Sequence, residues 1–168
     1  MNIDSLSKLM IDQLKDLYSA ENQIAELLPS MAAAASDHRL REAFESHLTE
    51  TREQISRIER LLEPTEYSPR GHRCDAMEGL VWEAKEMIEI GDPRVRDAAL
   101  ICAALKIEHY EIATYGSVRA YAKMLGWERA VKLIEQSRQE EFGADEALTE
   151  LAEQSLNAFA VVGSTPTA

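Results

Sequence analysis

Apolar side chains recur at spacings of three and four along nearly the whole chain, the pattern of helices that bury one face. The first such stripe runs from about Asp4 to Ala35 through Leu6, Met10, Leu14, Leu17, Leu28 and Met31. Pro29 lies inside it and is expected to kink the helix or end it early. Ser36–Asp37 then offers an N-cap for a second helix through Leu40, Phe44, Leu48, Ile55, Ile58 and Leu62, which Pro64 stops. A loop with two prolines and a glycine, PTEYSPRGHR, follows. A shorter helical stretch spans Cys74 to Ile90, with Gly91 as its expected C-cap. Asp92–Pro93 reads as the N-cap and first residue of a helix reaching about Leu125. Gly126 breaks the chain, and a last helix runs from Trp127 to about Phe159.

Four long helices in two hairpins, with a short helix between the pairs, predict an all-α protein. A long crossover suits a ferritin-like four-helix bundle better than a simple up-down-up-down one. No β-branched run alternates over a useful length, and no repeat of solenoid period is present. The expected organisation is one domain over residues 1–160, with 161–168 as a disordered tail.

Carboxylates interrupt the apolar stripes. Glu21 sits among Met10, Leu14, Leu17 and Leu28, and Glu141 sits among Ile134, Leu148, Leu151 and Ala152, with Asp145 one turn on. Glu108 and Glu111 share a face with Ile101, Ala104, Ile112 and Tyr115. In the second helix His47 lies within the stripe and Glu50 at its border, while Glu53 and, in the last helix, Glu140 are expected to face water. Antiparallel packing can bring these mid-helix positions to one level. Buried anions that close repel one another and lack water. A lone inward glutamate usually pairs with a cation, and Lys106, Arg57 and Arg119 could serve. Four helices doing the same thing point instead to metal ions, and oxygen donors with one histidine suit iron or manganese more than zinc. Gln54 and Tyr115 could hydrogen-bond and orient the carboxylates. The amphipathic stretch CDAMEGLVWEAKEM would use Met77, Leu80, Val81, Ala84 and Met87 to cover the bundle or a second subunit.

Charge narrows the partners. Thirty acidic against 18 basic side chains give a net charge of −12 over 168 residues. Such a balance disfavours nucleic acid and anionic membranes, and it suits a protein that handles cations. Two distant cysteines without a CxxC suggest reduced thiols and a cytoplasmic location, as does an N-terminus without a signal-like apolar stretch. No phosphate-binding glycine loop and no nucleophile elbow occurs.

The stretches DQLKDLYSAENQ, AFESHLTETREQISRIE, CDAMEGLVWEA, VRDAALICAALKIEHYEIATYG and EEFGADEALTELA resemble, in order, segments of the bacterial YciE/YciF group. The resemblance covers about residues 5 to 155. It implies a ferritin-like bundle with an extra helix, commonly dimeric and associated with stress. It also implies a dimetal site on Glu21, Glu50, Glu108, Glu111 and Glu141, with His47 and Asp145 beside them. The wider dimetal carboxylate class uses Glu-x-x-His on two helices. This chain has no such motif and carries His47-x-x-Glu50 in the opposite order. The expectation is therefore a carboxylate-rich site for two iron or manganese ions, with oxidase or peroxide-consuming chemistry in a stress response. The alternative is a non-enzymatic homodimeric bundle in which metal only stabilises the fold.

Overall fold

The structure is a computed structural model and describes residues 2–161. Six α-helices run in the order α1 (Leu6–Ala34), α2 (His38–Leu62), α3 (Asp75–Ile88), α4 (Pro93–Met124), α5 (Glu128–Leu151) and α6 (Asn157–Val161), and no strand occurs among the described residues. The expected domain boundary at residue 160 falls inside α6, and the expected tail beyond Val161 lies outside the described residues. No described helix is long and apolar enough to cross a membrane.

Several predicted caps are in place. The Asp37 carboxylate accepts the Arg39 amide at 2.8 Å and opens α2. Asp92 accepts the Arg94 amide at 2.9 Å, with Pro93 as the first residue of α4. Pro29 neither ends nor interrupts α1, which stays helical to Ala34. Gly91 does not cap α3: that helix ends at Ile88, and among the described residues positive φ is confined to Gly71 and Gly126. At Gly126 the left-handed turn lets the α4–α5 hairpin close in three residues. The last helix is not continuous, because a π-helical turn, Ala152–Leu156, separates α5 from α6.

Two apolar clusters fill the bundle, and their residue numbers give its topology. One takes Ile24 to Ala32 of α1, Leu40 and Phe44 of α2, Leu100 to Ile107 of α4, and Leu148 of α5. The other takes Met10 to Leu17 of α1, Ile58 and Leu62 of α2, Val118 and Ala122 of α4, and Ala130 and Ile134 of α5. So α1 and α5 run one way along the bundle, and α2 and α4 run the other. Consecutive long helices that are parallel need a chain that returns the full length of the bundle. Residues 63–92 make that return, and α3 lies within them. Met77, Val81 and Ala84 are buried in the first cluster, while Leu80 and Met87 are half-buried. The apolar face of α3 therefore covers this chain's own bundle, leaving Trp82 outward.

One buried carboxylate ties the hairpins together. Asp97 of α4 accepts the backbone N–H groups of Ser36 at 2.8 Å and Asp37 at 2.9 Å, in the α1–α2 turn. Charge-assisted bonds of this kind hold the turn. Asp97→Ala is expected to destabilise the fold by roughly 3 kcal/mol, and Asp97→Asn by less, in urea titrations followed by circular dichroism.

Candidate metal centre

Between the two apolar clusters each long helix turns polar for one or two turns. The layer holds Glu21 of α1, His47, Thr51 and Gln54 of α2, Glu108 and Glu111 of α4, and Ser137 and Glu141 of α5, all buried. Ordinary helical periodicity puts them there, since each sits where the next apolar residue of its stripe would fall. Four ligand-capable atoms, one each from His47, Glu108, Glu111 and Glu141, lie within 4.8 Å of one another. His47 Nε2 is 3.3 Å from Glu108 Oε1 and 3.8 Å from Glu141 Oε2. Glu21 adjoins this group and accepts a hydrogen bond from the Tyr115 hydroxyl.

The layer is short of partners. Both His47 ring nitrogens and both Glu111 oxygens lack a hydrogen bond, as do one oxygen each of Glu21, Glu108 and Glu141. Unpaired buried polar atoms are costly and therefore uncommon. The basic side chains named from the sequence are engaged elsewhere. Lys106 pairs with Glu83 at 2.6 Å, Arg119 with Glu135 at 2.5 Å, and Arg57 with Glu140 at 2.5 and 2.8 Å. Among the described residues no lysine or arginine pairs with Glu21, Glu108, Glu111 or Glu141.

Burial accordingly pushes all four carboxyl groups above the ordinary glutamate range. For Glu21 and Glu108 the charge of Glu141 adds to the effect, and for Glu111 that of Glu21 does. Glu141 rises least sharply, because the facing His47 partly offsets its burial. The Tyr115 phenol is driven far above its usual range by burial and by Glu21, so it stays a donor.

Five of the seven candidate residues thus come together: Glu21, His47, Glu108, Glu111 and Glu141. Glu50 stands at the edge, its side chain 41% exposed and its Oε2 3.6 Å from His47 Nδ1. Asp145 lies outside the group and pairs with His109 at 3.1 Å, although its charge still reaches Glu108. Gln54 donates to Glu141 and, at 3.2 Å, to Glu140, matching the expected orienting role. Glu140 departs from expectation. It does not face water freely but chelates the buried Arg57, which also donates to Ser137 Oγ at 3.2 Å. Sequence spacing could have shown Arg57 on the inner face of α2, one turn after Gln54. Its partner on α5 depends on the register between helices.

Carboxylate oxygens and one imidazole, without thiolate, form a donor set for iron or manganese. The orphaned oxygens and ring nitrogens fit such ions, since metal binding would satisfy them.

Known proteins agree with this architecture. Residues 5–161 match the family model described as a domain of unknown function, DUF892. The chain is 43% identical to the Escherichia coli protein YciF over 159 residues, covering 94% of this chain and 96% of that protein. The crystal structure of YciF, titled a stress protein, superposes with a TM-score of 0.88 over 92% of this chain and 99% of that one. YcfI of Rhodopseudomonas palustris is 38% identical, with a TM-score of 0.84 over 88% and 95% of the two chains. A two-domain protein of Anabaena variabilis with DJ-1/ThiJ/PfpI-like and ferritin-like domains is 15% identical. Its TM-score of 0.62, over 95% of this chain and 40% of that one, speaks for the ferritin-like fold alone. With the family match spanning all but its ends and the identity to YciF extending along nearly the whole of both chains, this chain belongs to the DUF892 family and is YciF-like.

Proposed function

We propose that this chain binds two iron or manganese ions in its polar layer and works in the cytoplasm as a redox protein of a stress response, with oxidase or peroxide-consuming activity. The observation that carries the reading is the convergence of four buried carboxylates and a buried histidine with unsatisfied atoms and no basic partner. The stress role rests on likeness to YciF, which is described as a stress protein. Glu21, His47, Glu108, Glu111 and Glu141 would hold the ions, with Glu50 and Asp145 as outer candidates. Glu111, whose neighbours include Glu21, Glu108 and Glu141, is our choice for a carboxylate shared by both ions.

Bound ions would supply reversible one-electron chemistry toward dioxygen or peroxide. The chain's own part is to prepare the donors. Tyr115 holds one Glu21 oxygen and Gln54 holds one Glu141 oxygen, leaving the second oxygen of each free. The Arg57–Glu140 pair keeps a strong cation away from Glu141. Apolar clusters on both sides exclude water and strengthen every charge interaction between them.

A second reading has its own support. Four helices meet at the layer, so metal there would fasten the bundle without turnover, as a ligand that binds only the folded state does. A homodimer is expected under either reading, and size-exclusion chromatography with light scattering measures it. Metal-dependent consumption of peroxide or dioxygen separates the two.

Elemental analysis of the purified protein is expected to find about two equivalents of iron or manganese per chain. Glu21→Ala, Glu108→Ala and Glu141→Ala are each expected to lose metal, and unchanged content in all three would exclude this site.

Protons and metal compete for the same oxygens, and this gives a pH dependence. Each raised carboxyl group takes up its proton on folding. The stability it contributes is complete below the ordinary glutamate value and is lost as pH rises through the raised one. The chelated protein should therefore melt at progressively lower temperature as pH rises from about 5 to about 9, and Glu111→Gln should flatten that slope. Added manganese should raise the melting temperature most at the upper end, where the carboxylates are free to bind it. Differential scanning calorimetry across that range checks both.

A further inference from the structure

The polar layer is sealed on one side and open on the other. Between α2 and α5 a cleft of about 530 Å³ descends to it, within the size range of small-molecule sites. Its walls are apolar: the small residues Ala43 of α2 and Gly143, Ala144 and Ala147 of α5 leave the space, and Phe44 and Leu148 line it. His47 and Glu108 line it as well. Both are more than nine-tenths buried, and both carry unpartnered polar atoms. Small wall residues alone would show only loose packing. The ring of His47 turns Nε2 to Glu108 and Glu141, whereas Nδ1 lies on the side of Glu50, a cleft residue, and has no hydrogen-bond partner; it is an independent sign of a ligand, left over when the layer holds metal.

Charge narrows the ligand further. Glu50, Glu108 and Glu140 bring carboxylates to the cleft, and Gln136 and Gln139 bring amides, but no lysine or arginine lines it. Arg57, the nearest buried cation on α2, is turned to Glu140 and Ser137. Glu50 and Glu108, which have no lysine or arginine partner, repel an anion. Because Glu140 is already ion-paired and Glu50 is partly solvated, a permanent cation gains little there. The apolar walls favour a hydrocarbon body.

We propose that the α2–α5 cleft binds an uncharged small organic molecule with an apolar body and a hydroxyl-type polar end, and directs that end at His47 Nδ1, at the rim of the polar layer. The molecule would be the substrate admitted to the metal centre. That last step rests on the metal reading above, whereas the binding itself does not.

Saturation-transfer NMR, run on the protein as purified and after chelation, tests this with benzyl alcohol, benzoate and benzylamine, three probes of similar size and different charge. Benzyl alcohol is expected to bind in both preparations, and benzoate about tenfold more weakly or worse. Ala144→Trp and, separately, Ala147→Trp project a large side chain into the cleft from a partly exposed and an exposed position respectively. Each is expected to weaken benzyl alcohol by about tenfold or more while keeping the wild-type melting temperature and metal content. Absence of benzyl alcohol binding, benzoate or benzylamine binding as well as the alcohol, or full alcohol binding in both tryptophan variants would overturn the proposal. Alcohol binding in a wild-type protein that takes up no metal would uphold the cleft and remove the metal reading. Metal uptake without alcohol binding would do the reverse.

Discussion

Four carboxyl groups held out of water in one layer of a helical bundle are the constraint around which this molecule is arranged. Glu21, Glu108, Glu111 and Glu141 come from three helices and face His47 from the fourth. A buried ion without a partner costs several kcal/mol as an order of magnitude. The fold does not relieve that cost with arginine or lysine. It relieves it in part with neutral donors, Tyr115 on Glu21 and Gln54 on Glu141, and in part by proton retention. The two apolar clusters above and below then have to be large enough to hold the layer closed. Met10 through Leu17 on one side and Ile24 through Met31 on the other, all from α1, show how one helix serves both.

Topology follows from the same requirement. The layer must sit near the middle of every long helix, so the helices must overlap along most of their length. Two short connections, 35–37 and 125–127, give two hairpins in register. Joining them with α2 parallel to α4 obliges residues 63–92 to travel back along the bundle, and α3 makes that passage productive by covering the first cluster with Met77, Val81 and Ala84. Asp97 then pins the start of α4 to the α1–α2 turn. It fixes the height of α4, and with it the height of Glu108 and Glu111, three and four turns further along.

Much of this was legible from single-helix periodicity, and what was missed required knowledge between helices. Glu108 and Glu111 stood out because their own stripe has leucine-like positions on either side of them. His47 stood out for the same reason, and the structure buries all three. Glu50 and Asp145 lay close to their stripes by angle, yet neither reaches the interior. A helical wheel cannot tell the face of a bundle from its rim. From spacing alone Arg57 is a candidate partner for an inward glutamate and Glu140 a solvated anion. Their bidentate pairing crosses from α2 to α5 and depends on relative height, which neither stripe contains. The π-helical turn after Leu151 had no local warning, since Ala, Glu, Gln, Ser and Leu are ordinary helix residues. Gly91 looked like a cap, but Asp92 and Pro93 directly after it already fix the turn by starting α4.

The layer is also asymmetric, and the asymmetry has chemical consequences. On the side of α1 and α4, Tyr115 lies over Glu21, and both are fully enclosed. On the side of α2 and α5, Ala43, Ala144 and Ala147 leave space where larger side chains would have closed the bundle. A site meant only to fasten helices gains from being sealed all round, because water entering the layer weakens every interaction in it. Openness on one face, beside the histidine of the group, lowers the stability that sealing the layer would give. The packing of α2 against α5 is therefore the part of the fold in which tight packing gives way to open space beside the polar layer.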